Sequence, residues 1–302
     1  MDFLANYFGS LNPMSFLSAL PGNIAQGIIW GLMGLGVFLT FKLLNFADLS
    51  VDGSFATGGA VTAVMLINGC PVWATIIVAI LAGLVAGLVT GLLHTLLGIP
   101  DILAGILTQI ALYSINLNIM GKSNLPISYR NYTLVVSASN INMAILVGLG
   151  ICAVVIAAMY WYFGTEQGST IRSTGSNPAM SKAQGININF TKVIALALSN
   201  GLVALSGSLF AQYQGFADIN MGRGAIVIGL AAVIIGEVLG EAIFRKHMNF
   251  IIRMLFVIVG GILYYIAMGI VLWLKMPTDD TKLFTAIIVA IFLAVPYLQK
   301  KR

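Results

Sequence analysis

The chain contains the stretch FADLSVDGSFATGGAVTAVMLI at Phe46–Ile67 and the related stretch FADINMGRGAIVIGLAAVII at Phe216–Ile235. Each Phe-Ala-Asp triplet follows a long apolar segment and precedes a short one that glycines interrupt. Three residues can recur by chance, but the shared context after each triplet favours a true internal repeat. We therefore predict a fold with two related halves, each centred on one of these stretches.

The composition is that of a polytopic membrane protein. Of the 302 residues, 59% are hydrophobic and 8% are charged, with a mean hydropathy of +0.98, whereas soluble domains are about 25% charged. The net charge of +5 needs no nucleic-acid partner, because Lys and Arg collect in cytoplasmic loops of membrane proteins. Cys70 and Cys152 indicate no disulfide framework, and the N-terminus shows no pattern of a cleaved signal peptide.

The apolar segments predict an all-α fold with eight to ten transmembrane helices, some of them short and broken. About 20 apolar residues span a bilayer, and fewer suffice where a helix ends inside protein. The nine predicted spans are Ile24–Leu44, Ser54–Ile67, Val72–Leu93, Ile102–Ile119, Met143–Phe163, Val193–Ala211, Ala225–Leu239, Ile251–Leu274 and Leu283–Leu298. The chain then divides into an amphipathic or partly buried segment at 1–23, a transmembrane domain at 24–298 and a basic tail at 299–302.

The loop charges orient these spans by the positive-inside rule. With loop 164–192 in the cytoplasm, the inside set is Lys42, Arg172, Lys182, Lys192, Arg245, Lys246, Arg253, Lys300, Lys301 and Arg302. The outside set is Lys122, Arg130, Arg223, Lys275 and Lys282. The helix before Asp48 then runs inward and the helix before Asp218 runs outward, so the C-terminus is cytoplasmic. This is an inverted-topology repeat, the architecture of many transporters.

Polar residues near the spans are candidates for a substrate pathway. A carboxylate in mid-bilayer costs about 2.5–3.5 kcal/mol, so each needs a reason to be there. Asp48 and Asp52 either line a gate or cap the next helix N-terminus, and Lys42 is near enough to pair with one of them. Glu237 has no neighbouring partner, and Arg253 is a candidate. The pathway candidates are Asn45, Phe46, Asp48, Asp52, Phe55, Tyr213, Phe216, Asp218 and Glu237.

Some of these residues also have a plain structural interpretation. If residues 48–52 are helical, Asp48 and Asp52 share a face and repel each other mildly. The aromatic and amide groups around Tyr213 and Phe216 suit a small polar solute, but they equally mark a membrane interface. Glycines at positions 83, 87 and 91 predict close helix packing and carry no information about a substrate.

The segment Thr165–Lys192 is the longest cytoplasmic piece. Asn177 as N-cap and Pro178 at the first helical position predict a short helix, and Gly185 would end it. Such a helix can lie along the membrane and present a surface to a cytoplasmic partner. A solvated loop between two spans is the alternative.

Two signatures of this sequence resemble those of one family. Gly168 followed by Arg172, then Gly175-Ser176-Asn177-Pro178-Ala179 and Gly185-Ile186-Asn187, is similar to the cytoplasmic coupling region of ABC-importer permeases of the branched-chain amino acid and monosaccharide type. Asn45–Val51, NFADLSV, overlaps the Asn-Phe-Ala of amino acid members with the Asp-Leu-Ser-Val of sugar members. The short N-terminus differs from that of the sugar permeases. The subgroup proposed to carry aromatic amino acids or related small molecules resembles this chain most.

The resemblance implies a division of labour. Two permease copies would form the pathway as a homodimer in a bacterial cell membrane, and an extracytoplasmic binding protein would deliver the solute. Separate ATPase subunits would bind ATP and magnesium and dock on the coupling region. The residues implied for docking are Arg172, Gly175, Asn177, Pro178, Ala179, Lys182 and Gly185. The chain itself is expected to hold no nucleotide, because Gly121-Lys122-Ser123 lacks the glycine that a P-loop needs at Asn116.

Two other functions compete with this interpretation. A self-sufficient secondary transporter or channel would move solute without ATP and would use an ion-coupled carboxylate, with Glu237 the first candidate. An intramembrane enzyme would need a catalytic constellation, and the sequence contains none of the common motifs. His94 and His247 each stand alone, without a second metal ligand at helical spacing.

Overall fold

The computed structural model describes residues 13–128, 132, 134–244, 248–274 and single positions between 283 and 294. Helix α1 (Pro13–Val37) runs directly into a π-helical turn (Phe38–Leu43). The other elements are α2 (Val51–Ile67), α3 (Val72–Thr95), α4 (Asp101–Met120), β1 (Asn124–Pro126), α5 (Ile141–Phe163), α6 (Glu166–Ser176), α7 (Pro178–Ala183), α8 (Ile188–Gln214), β2 (Phe216–Asp218), α9 (Ala225–Phe244) and α10 (Phe250–Trp273).

The helices agree with the predicted all-α membrane fold. Within the described residues, seven helices are long and apolar enough to cross a bilayer, and α2 is a shorter apolar helix of 17 residues. Most bounds lie within a few residues of the predicted spans, and the predicted span Leu283–Leu298 lies largely outside the described residues. The predicted loop 164–192 is mostly helical, because α6, α7 and the start of α8 occupy it.

Two predicted boundaries need correction. Helix α1 begins at Pro13, so residues 13–23 continue the first span and do not form a separate segment. Proline is compatible with the first helical turn because its missing N–H is not used there, and Phe16 packs against Trp273 with a centroid distance of 6.0 Å. Helix α9 has 20 residues and continues past Leu239 to Phe244, so it is not the short segment predicted.

Helices α1 and α8 form an antiparallel pair at the centre of the fold. Ser199 and Ser206 donate hydrogen bonds to the carbonyl oxygens of Gly36 and Ile29, at 2.8 and 2.7 Å. Since residue numbers fall along α1 as they rise along α8, the triplets that follow these two helices lie at opposite ends of the pair. From Val203 to Tyr213 every residue of α8 is buried.

In each half, the helix that follows the triplet packs against the other half. Helix α2 packs along α8 of the second half, and α9 packs on α1 of the first half. Both triplets form the same local turn: Asp48 Oδ1 accepts from the backbone N–H of Ser50 at 2.9 Å, and Asp218 Oδ1 accepts from that of Asn220 at 2.7 Å. This arrangement agrees with the predicted inverted-topology repeat.

Glycine permits the close approach of backbones around α8. A Cβ atom at Gly83 or Gly87 would collide with the backbone oxygens of Asn200 and Leu196 on α8. The predicted glycine ladder of α3 therefore packs within this subunit, since its glycines face α8.

We predict that Gly87→Ala lowers thermal stability, because the added methyl group meets backbone atoms that cannot rotate away. Overpacking of this kind costs about 1–3 kcal/mol. The matched control is Gly150→Ala on α5, where a Cβ meets no atom within 4 Å and the helix gains from losing a glycine. Thermal melting of the purified protein in detergent measures both. Equal melting temperatures for the two variants would contradict the close approach of α3 and α8.

Candidate functional site

Asp48 fastens the first triplet to the centre of the fold. It lies in the loop before α2 and is 1% exposed. Its carboxylate accepts from the backbone N–H and hydroxyl of Ser50, and from Nδ2 of Asn200 at 2.7 Å. The predicted pairing with Lys42 is therefore wrong for Asp48, and the predicted shared helical face with Asp52 is wrong because α2 begins only at Val51.

Asp52 joins the two halves of the chain. Its two carboxylate oxygens accept from the backbone N–H groups of Gly224 and Ile226, each at 2.9 Å. These donors belong to the N-terminus of α9, whose free N–H groups and dipole favour a negative charge. The predicted capping alternative thus describes Asp52, but the capped helix belongs to the other half of the chain. Lys42 does not pair with Asp52 either.

The aromatic candidates lie inside the packed core. Phe55 is 0% exposed and stacks on Trp30 at a centroid distance of 4.7 Å. Phe46 is buried edge-on against His94, and the hydroxyl of Tyr213 donates to the carbonyl of Gly22 at 3.4 Å. All three belong to the hydrophobic core and do not line the cavity between α2 and α4 that is described below.

The remaining triplet residues take part in local structure. Phe216 and Asp218 belong to β2, which pairs antiparallel with β1.

Asn45 is exposed and adopts a positive φ of 55°, where the chain leaves the π-helical turn. His94 lies between the carbonyl oxygen of Ile99 and Nζ of Lys192, each at 2.9 Å. His247 lies outside the described residues.

Glu237 is the centre of an ion-pair triad. Lys42 Nζ lies 2.8 Å from one carboxylate oxygen and Arg253 Nη1 lies 3.4 Å from the other. The suggested contact with Arg253 is present, and Lys42 contacts Glu237 where an aspartate was predicted. The triad connects the π-helical turn, α9 and α10, so Glu237 is not a carboxylate without a counter-charge.

The predicted short helix forms as α7. Oδ1 of Asn177 accepts from the backbone N–H of Met180 at 3.0 Å, and Pro178 occupies the first turn. Gly185 follows the helix with a φ of +83°, a conformation that glycine adopts without strain. Residues 176–180 are all exposed, with Met180 58% exposed at the tip. Lys182 is exposed in the last turn.

Helix α6 attaches this exposed tip to the membrane helices. Arg172 Nη2 donates to the carbonyl of Phe163 at 2.9 Å, at the end of α5. Gly175 packs directly on the backbone carbonyl of Leu43 in the π-helical turn, where a Cβ would collide. Two residues of the predicted coupling set therefore hold α6 in place, and the residues that follow them are displayed on the surface.

A cavity of about 310 Å³ lies between α2, α4 and the loop before α9. The polar residues that line it are Asp52, Gln109, Tyr113, Ser114, Asn116 and Arg223. Asn116 is 1% exposed, and within the described residues neither Oδ1 nor Nδ2 has a hydrogen-bond partner.

Sequence reasoning found Asp52 but missed the other polar residues of this cavity. A usable signal was present in α4, because Gln109, Tyr113 and Asn116 recur at i, i+4 and i+7 and so share one helical face. Arg223 was counted as a loop charge only. Its approach to Asp52 depends on the contact between the two halves.

The sequence profile of the branched-chain amino acid transport system, permease component, matches residues 22–296. The chain belongs to this family. The permease is 43% identical over 279 residues to the tyrosine transport system permease protein of Clostridioides difficile strain R20291, covering 92% of this chain and 91% of that protein. It is 24% identical to the D-allose transport system permease protein of Escherichia coli strain K12, over 85% of this chain and 77% of that one.

A solved structure has the same fold as the permease. PsaBC from Streptococcus pneumoniae in complex with Fab matches with a TM-score of 0.55 and 17% identity, covering 99% of this chain and 100% of that chain. The permease is thus a multi-pass membrane component of an ABC transport system, as the sequence predicted. Family membership favours this function over a self-sufficient secondary transporter.

We predict that Asn200→Ala destabilises the permease more than Ser208→Ala on the same helix. Asn200 donates to a buried carboxylate, and such hydrogen bonds contribute about 1.5–3 kcal/mol. Ser208 accepts a neutral hydrogen bond from Thr62 at 2.7 Å, and its loss costs about 0.5–1.5 kcal/mol. Melting temperatures in detergent measure the difference. A smaller effect for Asn200→Ala would show that Asp48 does not depend on this bond.

Proposed function

We propose that this permease imports an aromatic amino acid or a closely related small solute, with the work supplied by ATP hydrolysis on a separate ATPase subunit. The observation that carries the proposal is the exposed helix α7, which displays Pro178, Ala179 and Met180 at its tip. An exposed apolar surface on a short, capped helix suits insertion into a groove of a partner protein. The Asn177-Pro178-Ala179 part of the coupling signature forms the start of the same helix.

The proposed orientation puts α7 in the cytoplasm, together with the C-terminus, in a bacterial plasma membrane. Lys42, Arg172, Lys182 and Lys192 then lie on the cytoplasmic side, as the positive-inside rule favours. ATP and magnesium would bind to the ATPase. A second permease copy would complete the pathway, and an extracytoplasmic binding protein would deliver the solute.

The contacts of α6 suggest how movement of the ATPase reaches the membrane helices. Gly175 packs on Leu43 with no side chain between the two backbones, so a displacement of α6 is transmitted directly to the π-helical turn. The neighbouring residue Lys42 holds Glu237 on α9 and, through it, Arg253 on α10. We infer that this route couples α7 to the second half of the permease.

The choice of solute follows from the relatives. The tyrosine permease matches nearly the full length of both chains at 43% identity, whereas the D-allose permease matches at 24%. Specificity depends on a small number of polar groups in a site. A relative of higher identity is expected to share more of these groups, so the tyrosine permease is the better guide to the ligand. An aromatic amino acid is therefore the solute to test first.

We predict that Met180→Glu abolishes recruitment of the ATPase, because a charge would be buried in an apolar contact. The matched control is Gln167→Glu, which adds the same charge to the exposed first turn of α6, where the helix dipole favours it. Co-purification of the ATPase with the tagged permease measures recruitment, and membrane insertion is checked for both variants. Normal recruitment by Met180→Glu would show that the ATPase docks elsewhere.

Import is tested in proteoliposomes that contain the permease and its ATPase, with binding protein and labelled L-tyrosine added outside. We expect tyrosine to accumulate when ATP is enclosed and not when it is omitted. Accumulation without ATP would instead support the secondary transporter. ATP-driven uptake of D-allose but not of tyrosine would overturn the proposed solute.

A further inference from the structure

We propose that the cavity formed by Asp52, Gln109, Tyr113, Asn116 and Arg223 is a substrate site that binds the zwitterionic head group of an α-amino acid. The assignment rests on the proposed import of an amino acid and goes beyond it by naming the residues that recognise the solute. The cavity of about 310 Å³ is at the small end of the range for small-molecule sites, about 300–1,000 Å³.

The first argument is the charge of the lining. Asp52 and Arg223 face the same cavity, yet among the described residues they form no ion pair with each other. Within that part of the chain the Arg223 side chain has no acidic partner. A ligand that carries one ammonium and one carboxylate group would satisfy both residues at once.

The geometry of Asp52 leaves room for a ligand. Its oxygens accept backbone N–H bonds from Gly224 and Ile226 and also interact with the N–H of Ala225 at the start of α9, whereas a carboxylate has about four acceptor positions. The free positions suit an ammonium group. The N–H bonds also fix the carboxylate in place, so that binding does not require it to become ordered.

Asn116 supplies the second, independent observation. Its amide is 1% exposed and has no hydrogen-bond partner within the described residues, although it borders the cavity. An unpaired buried amide is unfavourable by itself. A polar ligand in the cavity would satisfy it, since an amide can donate to a carboxylate and accept from an ammonium group.

Other ligand classes fit less well. A metal cation would find a single carboxylate and would be repelled by Arg223. An inorganic anion would be repelled by Asp52. A neutral sugar would leave both charges without a counter-charge. The apolar part of the lining, which includes Ala56, Ile110 and Ile219, suits the side chain of an apolar or aromatic amino acid, and Tyr113 offers a ring for stacking.

The cavity lies at a contact between the two halves of the chain. Asp52 and the α4 residues belong to the first half of the chain, and Ile219 and Arg223 belong to the second. A movement of α9 relative to α2 would therefore separate the group that binds the ammonium from the group that binds the carboxylate. The same movement that opens the pathway would release the solute.

The test measures binding of labelled L-tyrosine to the permease–ATPase complex in lipid nanodiscs without the binding protein. Tyramine, which lacks the carboxylate, and 3-(4-hydroxyphenyl)propionate, which lacks the ammonium, compete for the site. We expect wild type to prefer L-tyrosine to both. Arg223→Gln should weaken tyrosine binding about tenfold, the loss of one charge-assisted bond, and leave tyramine binding unchanged. Asp52→Asn should likewise weaken tyrosine binding about tenfold. It should leave binding of 3-(4-hydroxyphenyl)propionate, which has no ammonium group, unchanged.

One control variant and one further variant of the site complete this experiment. Lys122→Gln removes a positive charge on the same predicted face, outside the cavity, and should bind tyrosine as wild type does. Asn116→Leu should abolish binding without lowering the melting temperature, because it removes a polar group that has no partner in the protein. A purely structural role for Asn116 would lower the melting temperature.

The inference is overturned if wild type shows no saturable binding at millimolar tyrosine. It is also overturned if Arg223→Gln distinguishes tyrosine from tyramine as well as wild type does. Either result can coexist with ATP-driven tyrosine import in the presence of the binding protein, which would leave the proposed function standing. Loss of import itself would count against the proposed function.

Discussion

The hydrogen bonds from the start of α9 to the carboxylate of Asp52 hold the two halves of this permease together. A helix that begins inside a membrane protein exposes N–H groups that no water reaches, and leaving them unpaired is costly. Asp52 satisfies these donors and is itself stabilised by them. Asp48, within the first triplet, accepts hydrogen bonds from Ser50 and from Asn200 on α8, so it also joins the two halves. The polar groups that interrupt this apolar chain are therefore the points at which its halves are joined.

The sequence predicted the features that depend on local spacing. Asn177 and Pro178 begin a short helix because their conformational preferences act within one turn. Gly83 and Gly87 allow close packing because they lie on one helical face. The partners of the charged residues were beyond local reasoning: Lys42 meets Glu237 across 195 positions and Asp48 meets Asn200 across 152. Such pairs follow from how the repeats fold onto each other. The polar face of α4 can be recognised in the sequence. Only the fold shows that it lines the same cavity as Asp52.

The π-helical turn connects the exposed helices α6 and α7 with the transmembrane helices. π-Helical turns are rare and are frequently found at functional sites. In this chain the turn contributes Leu43, on which α6 rests, and Lys42, which holds α9 and α10 through Glu237. The π-helical turn thus lies where α6 meets the transmembrane bundle.

The two repeats meet at one pair of equivalent positions. Asp52 follows the first triplet by four residues and Gly222 follows the second by four, and a Cβ at Gly222 would collide with the backbone oxygen of Asp52. The second copy must therefore be glycine for the halves to close, whereas the first copy has space for the carboxylate that accepts the N–H groups of α9. Of these two equivalent positions only one consequently carries a carboxylate, and backbone contact fixes which one it is.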